Sequence, residues 1–297
     1  MEKGEGVGLA RDIYTRFWLE LSDGYFIGES SRVPFVRHDM FEEDWSVIGK
    51  ILVKAFFDLR YFPTILAVAF IQYCFFGKVD HGTMIDSFEK YLSSSEKELV
   101  KIALSQDVED SFFATEEFID FLEQFKCRSR VTKGNIQTII FEIAQQELIQ
   151  KPHIMASAWQ KELLPLKALD EFSSPIKVSS VIYEKTLPTA KKVIALFVYD
   201  CKNDSERDCI GYLKRYVKGL DDSLLKKFLT FCTGSDIINV SKIEVTFTST
   251  ESEYARQPIA RTCGPLLELP CTYRNFPELR SEFSSILKCS YWEMDIV

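Results

Sequence analysis

The sequence predicts an α+β chain, with a mostly helical first part to about Leu187 and a smaller α/β part after it. In the first part, apolar residues recur at steps of three and four, which is the spacing of amphipathic helices. In the second part, Ile243, Val245 and Phe247 alternate with polar residues, which is the period of a strand with one covered face. The chain has 297 residues, 46% of them apolar, so it can build one large domain or two of ordinary size.

Charge and apolar runs argue against two classes of partner. The net charge of −8 is spread along the chain, whereas a nucleic-acid surface needs clustered Lys and Arg, so we expect no nucleic-acid partner. The longest apolar run, Ile65–Phe76, is too short to span a bilayer of about 30 Å, so it predicts a buried helix and no membrane partner. The first residues, Met1 to Glu5, have neither the basic nor the apolar region of a signal peptide.

Cysteine usage is typical of a reduced intracellular protein, and we expect the chain in the cytoplasm, the nucleus or both. The eight cysteines are scattered and form no C-x-x-C pair. The three histidines, His38, His81 and His153, are far apart in the sequence. We therefore expect no metal site and no cofactor.

Helix signals follow one another through the first part. Trp45 to Leu59 is one amphipathic face, Pro63 opens the helix Ile65–Phe76, and Gly77 closes it. Ser95–Glu98 reads as a capping box at the start of the next helix.

Two further stretches of the first part have alternative interpretations. The glycines of Gly4–Gly8 suggest a nucleotide loop only superficially, because no strand precedes them and no Lys-Ser/Thr pair follows. A predicted helix at Glu116–Phe125 and the residues before it form a stripe, so this segment is either a groove for a partner or a compact helical core. The stripe consists of Phe112, Phe113, Phe118, Phe121, Leu122 and Phe125. Asn135 is expected to cap a later helix, and the polar composition of Lys167–Leu187 predicts a hinge at the end of the first part.

The second part mixes helices and strands. Lys191–Tyr199 and Ile210–Val217 are predicted helices separated by a charged loop. Asp221 is expected to cap the helix Asp222–Cys232, which Gly234 closes. Asn275–Glu278 is a second capping box before the last helix.

One cysteine of the second part is expected to be reactive. Cys263 follows Thr262 in a short polar loop between the strand-like runs Ile243–Thr248 and Leu266–Leu269, so its sulfur should face solvent. An exposed thiol is a candidate nucleophile, and an exposed cysteine of no function is the alternative. A cysteine hydrolase is disfavoured because no histidine lies in this part of the sequence.

The residues around Cys263 resemble the C-terminal lobe of HECT-type ubiquitin ligases. The shared pattern is a helix ending in Phe-x-Thr-Gly (Phe231–Gly234), a strand, a Thr-Cys loop, Leu-x-Leu-Pro (Leu267–Pro270) and a last helix. Gly8–Asp12 is similar to the family's Gly-Gly-x-x-Arg-Glu element, and Leu225–Asp236 is similar to members of the G2/M-phase-specific ligase group. The chain departs from the family pattern at Arg261, where His is common, and at Gly264-Pro265, where Phe-Asn is common.

The resemblance implies a bilobal fold and a ligase activity. It implies a helical N-lobe over residues 1–187, with a conjugating-enzyme-binding subdomain at about 83–130, and an α/β C-lobe over residues 188–297. A flexible hinge would let one thiol visit both the conjugating enzyme and the substrate. The implied partners are ubiquitin, a ubiquitin-conjugating enzyme and protein substrates.

The resemblance also assigns residues to the chemistry. Cys263 would accept ubiquitin as a thioester, with Thr262 beside it in the loop. Arg261 and Arg256 are expected to favour the thiolate by their charge. Asp295, and Glu293 near it, are the acidic candidates for assisting transfer to a substrate lysine, unless that tail only packs on its own lobe. The rival functions are a catalytically weak HECT-like scaffold that binds ubiquitin or a conjugating enzyme, and a purely structural helical module.

Overall fold

The computed structural model describes residues 6–248 and 257–288, which fold into helices and two small sheets. The helices in these residues are α1 (Val7–Tyr25), α2 (Glu42–Leu59), α3 (Val68–Phe76), α4 (His81–Tyr91), α5 (Ser94–Ala103), α6 (Glu116–Gln124), α7 (Ile136–Gln145), α8 (His153–Glu162), α9 (Leu164–Lys167), α10 (Pro175–Ser179), α11 (Ala190–Ala195), α12 (Asp204–Lys218), α13 (Asp222–Thr233) and α14 (Phe276–Lys288). None of them combines the length and the apolar character that crossing a bilayer requires.

The strands form one pair and one mixed sheet. They are β1 (Phe26–Ile27), β2 (Val33–Pro34), β3 (Phe197–Val198), β4 (Ile243–Thr248), β5 (Ile259–Arg261) and β6 (Leu266–Pro270). Strands β1 and β2 pair antiparallel, and the other four lie in the order β3-β4-β6-β5. Strand β4 is parallel to both β3 and β6, whereas β5 is antiparallel to β6. The mixed α+β character predicted from the sequence is confirmed.

Packing groups the chain into two compact units. Unit 1 contains the described residues of Met1–Trp18, Ala55–Pro63 and Ile182–Val297, and unit 2 contains Leu19–Lys54 and Thr64–Val181. Helices α1 and α2 each contribute residues to both units. The division into an N-lobe and a C-lobe at Leu187 stays a prediction.

The core of unit 1 lies between the mixed sheet and helices α12, α13 and α14. Strands β4 and β6 bury Ile243, Leu267 and Leu269 against it. Phe228 of α13 and Phe283 of α14 are fully buried, with ring centroids 5.7 Å apart. Burying a large side chain of this kind stabilises the fold by about 1.5–3 kcal/mol, so these residues hold the sheet in place.

The core of unit 2 is built around two tryptophans. The indole Nε1 of Trp159 donates to the carbonyl oxygen of Trp45 over 2.9 Å, which joins α8 to α2. Phe70 of α3 packs edge-on to Trp159, with ring centroids 5.6 Å apart. The predicted amphipathic helix at Trp45–Leu59 corresponds to α2, and the predicted buried helix after Pro63 corresponds to α3.

Several predicted boundaries are wrong. The capping box is made by Ser93 with Glu96 and not by Ser95, so α5 begins at Ser94. Helix α3 begins at Val68 instead of Ile65. Three serines in a row made the box ambiguous, and the residue whose side chain bonds the amide of Glu96 decides it.

The second part also differs from its prediction in two places. Lys191–Tyr199 is not one helix, because α11 ends at Ala195 and Phe197 enters strand β3. The stretch before Ile210 is not a loop, because Asn203 caps α12 with a hydrogen bond from the amide of Glu206, 2.9 Å long. An Asn at that position satisfies an otherwise unpaired helix amide, so the charged residues after it become helical.

The predicted hinge, Lys167–Leu187, is largely helical. It contains a 3₁₀ turn at Asp170–Phe172, the short helix α10 and a π-helical turn at Ser180–Glu184. Phe172 and Val178 are buried. Their burial stabilises these helical turns despite the polar composition, and the hinge itself stays a prediction.

Some predicted caps are confirmed and one is wrong. Asp221 accepts a hydrogen bond from the amide of Leu224, and Gly77 and Gly234 end α3 and α13 with positive φ angles of 69° and 79°. Asn135 does not cap α7 with its side chain. Its Oδ1 instead accepts from the amide of Thr132 over 2.8 Å and stabilises the preceding turn.

Candidate functional site

Cys263 lies at the tip of a β-hairpin. Strands β5 and β6 pair antiparallel with Arg261 opposite Leu266, and residues 262–265 form the turn between them. Cys263 is exposed, as expected. The strand before the turn was not predicted, because three residues are too few to show the alternation of a strand.

Strand β6 and the turn fix the hairpin to the sheet. Leu267 and Leu269 of β6 are fully buried in the core of unit 1. The carbonyl oxygen of Pro265, at the end of the turn, accepts a hydrogen bond from the amide of Glu244 in β4, 2.8 Å long. Gly264 has open space around its Cα, so the turn presents Cys263 to solvent without crowding from that residue.

Arg261 is paired across the hairpin. Its Nε donates to Oε1 of Glu268 over 2.7 Å. The side chain of Arg261 is half exposed and that of Glu268 is largely covered. The positive charge that was expected to favour the Cys263 thiolate is therefore offset by a carboxylate on the neighbouring strand.

Residues from the start of the chain complete the surroundings of Cys263. Nη1 of Arg11 in α1 donates to the carbonyl oxygen of Thr262 over 2.9 Å and to that of Thr233 over 3.0 Å. A Cβ placed on Gly8 would come within 2.5 Å of the carbonyl carbon of Thr262. Gly8 and Arg11 belong to the segment that resembles Gly-Gly-x-x-Arg-Glu, but the sequence did not predict that they lie beside Cys263. Their spacing, three residues apart in one helix, is the signal that was available.

The Thr-Gly turn after α13 lies against the same helix. Gly234 adopts a left-handed conformation, and a Cβ placed on it would come within 2.7 Å of the carbonyl oxygen of Gly8. Oγ1 of Thr15 donates to the carbonyl oxygen of Gly234 over 3.1 Å. The Phe-x-Thr-Gly pattern and the glycine-containing start of α1 therefore meet at one place in unit 1.

Burial separates Cys263 from other cysteines of the chain. Burial raises the pKa of Cys209 to about 11 and raises the pKa of Cys74 and Cys232 still further, so these thiols stay protonated. Cys271 is partly covered, and its Sγ lies 3.4 Å from the carbonyl oxygen of Thr248. Within the described part of the chain, Cys263 is the exposed cysteine.

Other predicted groups lie away from the hairpin or outside the described residues. His38, His81 and His153 all belong to unit 2, whereas Cys263 belongs to unit 1. Arg256, Glu293 and Asp295 fall outside residues 6–248 and 257–288. Among those residues, no group of three or more His, Cys, Asp or Glu side chains is arranged to hold a metal ion.

The aromatic segment of unit 2 forms a core. Phe113, Phe118, Phe121 and Phe125 are at most 7% exposed. The rings of Phe121 and Phe125 pack edge to face, with centroids 5.0 Å apart. Of the two interpretations of this segment, a compact core describes these four side chains, and the groove for a partner stays a prediction.

A cavity of about 810 Å³ nevertheless lies beside this core. Phe113 and Leu122 contribute to its wall at one side, and a run of polar residues from Lys126 to Thr132 contributes at the other. Ile119, at 42% exposed, is an open large apolar side chain in its lining.

Comparison with known proteins identifies a family. No curated protein matches the sequence significantly. The family model described as HECT-domain (ubiquitin-transferase) matches residues 17–292, which is most of the chain. The match includes the hairpin that carries Cys263, all of unit 2 and the part of unit 1 from residue 17 to residue 292. The chain therefore belongs to the HECT-domain family of ubiquitin transferases.

Proposed function

We propose that this domain is a ubiquitin-protein ligase that accepts ubiquitin as a thioester on Cys263 and transfers it to a substrate lysine. The observation that carries the proposal is the exposure of Cys263 at the tip of the β5–β6 hairpin, while Cys74, Cys209 and Cys232 are buried. A thiol must be reachable by a carrier protein in order to exchange a thioester, and Cys263 meets that condition.

The first step is an exchange of one thioester for another. The Cys263 thiolate attacks the carbonyl carbon that joins the C-terminus of ubiquitin to the cysteine of the conjugating enzyme. A tetrahedral oxyanion forms and collapses, the old carbon–sulfur bond breaks, and the conjugating enzyme leaves as a thiolate. The two thioesters have similar energies, so this domain must mainly provide geometry.

The second step moves ubiquitin from sulfur to nitrogen. A neutral lysine amine attacks the thioester on Cys263, an isopeptide bond forms and the Cys263 thiolate leaves. The amine proton needs an acceptor, and Asp295 is the proposed group for it. Thr262, whose carbonyl oxygen is hydrogen-bonded, and Arg261 complete the proposed site.

The partners follow from the same proposal. We assign the conjugating enzyme to the subdomain at about 83–130, which contributes much of the lining of the 810 Å³ cavity. The proposal includes the bilobal arrangement with lobes 1–187 and 188–297. It also includes a place among the G2/M-phase-specific group and a cytoplasmic or nuclear location.

A scaffold that binds ubiquitin or a conjugating enzyme without efficient transfer is the second candidate. The ion pair between Arg261 and Glu268 favours it, because that pair removes free positive charge from beside the thiol. Pro265 favours it too, because a proline has no amide to stabilise an oxyanion.

A charging assay decides between the two candidates. The purified chain is mixed with conjugating enzymes carrying ubiquitin, and adducts are separated with and without reductant. We expect a reductant-sensitive adduct with the native chain, none with Cys263→Ala, and a reductant-resistant oxygen ester with Cys263→Ser.

The matched control is Cys271→Ser, at the residue after strand β6, which should charge like the native chain. Ubiquitin that still attaches after Cys263→Ala would place the acceptor elsewhere. If the folded native chain binds a conjugating enzyme but never forms an adduct, the scaffold function is correct.

A further inference from the structure

Arg11 is a buried cation that holds two carbonyl oxygens with one nitrogen. Its side chain is 8% exposed, and Nη1 donates to Thr262 at 2.9 Å and to Thr233 at 3.0 Å. Thr233 is the last residue of α13, and Thr262 is the residue before Cys263. One guanidinium nitrogen therefore ties the cysteine turn to the end of a helix.

The backbone of α1 approaches this turn more closely than a side chain would allow. A Cβ on Gly8 would lie 2.5 Å from Oγ1 of Thr262 and 2.6 Å from the amide nitrogen of Cys263. A Cβ on Gly6 would lie 2.6 Å from Sγ of Cys263. Glycine is needed at position 8 because a Cβ there would meet backbone atoms, whereas at position 6 it would meet the side chain of Cys263.

Charge makes the Arg11 contact strong. Burial lowers the pKa of Arg11, and the electrostatic interaction with the nearby Cys263 partly offsets that effect. A guanidinium stays protonated at neutral pH despite such a shift. Its hydrogen bonds to the carbonyl oxygens are therefore charge-assisted, which makes them stronger than bonds between neutral groups.

We propose that Arg11 is a positioning residue for thioester exchange at Cys263, with Gly8 providing the space for it. The carbonyl oxygen of Thr262 and the amide of Cys263 belong to one planar trans peptide. Holding the oxygen with Arg11 therefore fixes the plane and orients the amide and the Cα of Cys263. This inference rests on the proposed thioester function and adds to it a residue from the opposite end of the sequence.

The test compares Arg11→Gln with Arg11→Lys in single-turnover charging. The rate of adduct formation on Cys263 is measured against the concentration of ubiquitin-loaded conjugating enzyme. We expect Arg11→Gln to lower the maximal rate about 10-fold, because misplacement of a reacting group by a fraction of an ångström is costly. The half-saturating concentration should stay within about 2-fold of the native value. Arg11→Lys, which keeps the charge and N–H donors, should recover part of the maximal rate.

Two controls separate positioning from folding. Arg16→Gln, on the same helix, changes a 44% exposed side chain that pairs with the largely covered carboxylate of Asp12. The glutamine keeps an N–H donor for that carboxylate, so the maximal rate should stay within about 2-fold. Gly8→Ala should lower the maximal rate as Arg11→Gln does, whereas Gly24→Ala in α1, where a Cβ meets open space, should not.

The outcomes distinguish this inference from the function on which it rests. A folded Arg11→Gln variant that charges at the native rate overturns the positioning role and leaves the ligase function standing. A rise in half-saturating concentration with an unchanged maximal rate also overturns it, because that pattern belongs to partner binding. No adduct on Cys263 in the native chain overturns both.

Discussion

The ion pair between Arg261 and Glu268 sets the charge beside the candidate nucleophile. Arg261 precedes Thr262 in the sequence, and Glu268 lies on the opposite strand with its oxygen 2.7 Å from Nε. Both side chains keep some contact with solvent, so the pair is screened and its effect on a neighbouring group is modest. Removing the carboxylate should still leave Arg261 free to favour an anion at Cys263.

We predict that Glu268→Gln speeds alkylation of Cys263 by iodoacetamide about 2-fold at pH 7, because only the thiolate reacts. Mass spectrometry of the labelled peptide measures the rate. Arg261→Gln alone should slow alkylation by a similar factor. Adding Glu268→Gln to Arg261→Gln should return the rate to about the native value, because both charges are then removed. A double variant that stays as slow as Arg261→Gln would contradict an electrostatic effect of the carboxylate on Cys263.

Sequence reasoning found the exposed cysteine but not the groups around it. Thr262 and Cys263 are adjacent, so their place in a polar loop could be read directly. The partner of Arg261 depends on the register of β5, a strand of only three residues. Arg11 is 251 residues away from Thr262, and no local pattern reports a contact of that separation.

Helix α5 shows how one hydroxyl determines where an element starts. Oγ of Ser93 accepts from the amide of Glu96, and the carboxylate of Glu96 accepts from the amide of Ser93 over 2.8 Å. Each side chain thereby satisfies an amide that the helix leaves unpaired. Ser95 lies two residues too late to do this, although Glu98 three residues after it gave it the same signature.

We predict that Ser93→Ala lowers the free energy of unfolding by about 1 kcal/mol, which is typical for loss of an N-cap hydroxyl. Urea denaturation followed by circular dichroism measures the change. Ser95→Ala, a matched change two residues later, should cost clearly less. Equal losses for the two variants would contradict the assignment of Ser93 as the cap.

Elements were predicted best where a strong local signal was present. Asp221, Gly77 and Gly234 define helix ends by their own chemistry, and all three act as expected. The Lys167–Leu187 stretch has polar composition but buries Phe172 and Val178. Tertiary burial decided its helical turns, and composition does not report tertiary burial.

At the scale of the whole molecule, unit 1 is assembled from three separate stretches of chain. Tyr61 donates its hydroxyl to Oδ1 of Asp236 over 3.0 Å, and Nδ2 of Asn239 donates to the carbonyl oxygen of Leu59 over 3.2 Å. These bonds join the segment Ala55–Pro63 to the region after α13. Burial raises the pKa of Asp236, although Lys226 and the bond from Tyr61 partly offset the effect.

The raised pKa makes a prediction about stability and pH. A carboxyl that holds its proton more tightly in the folded than in the unfolded chain contributes stability below about pH 4, and this contribution is lost as pH rises through the folded pKa. Asp236→Asn keeps an acceptor for Tyr61 and removes the titration. We therefore expect a Tm a few degrees above that of the native chain at pH 7 and nearly equal values near pH 3.

Scanning calorimetry at a series of pH values measures this difference. Asp120→Asn, which replaces an exposed carboxylate of α6, is the control and should leave Tm nearly unchanged at both ends of the series. A lower Tm for Asp236→Asn at pH 7 would mean that the ionised form stabilises the fold.

The long separation between Arg11 and its two acceptors has a consequence for biosynthesis. During translation Arg11 is synthesised 222 residues before Thr233 and 251 residues before Thr262. The start of α1 cannot make these hydrogen bonds until Thr233 and Thr262 have been synthesised. By then every residue of unit 2, which ends at Val181, is present. Unit 1 is therefore completed last. A nascent chain that ends before Thr262 lacks the cysteine turn to which Arg11 of α1 binds.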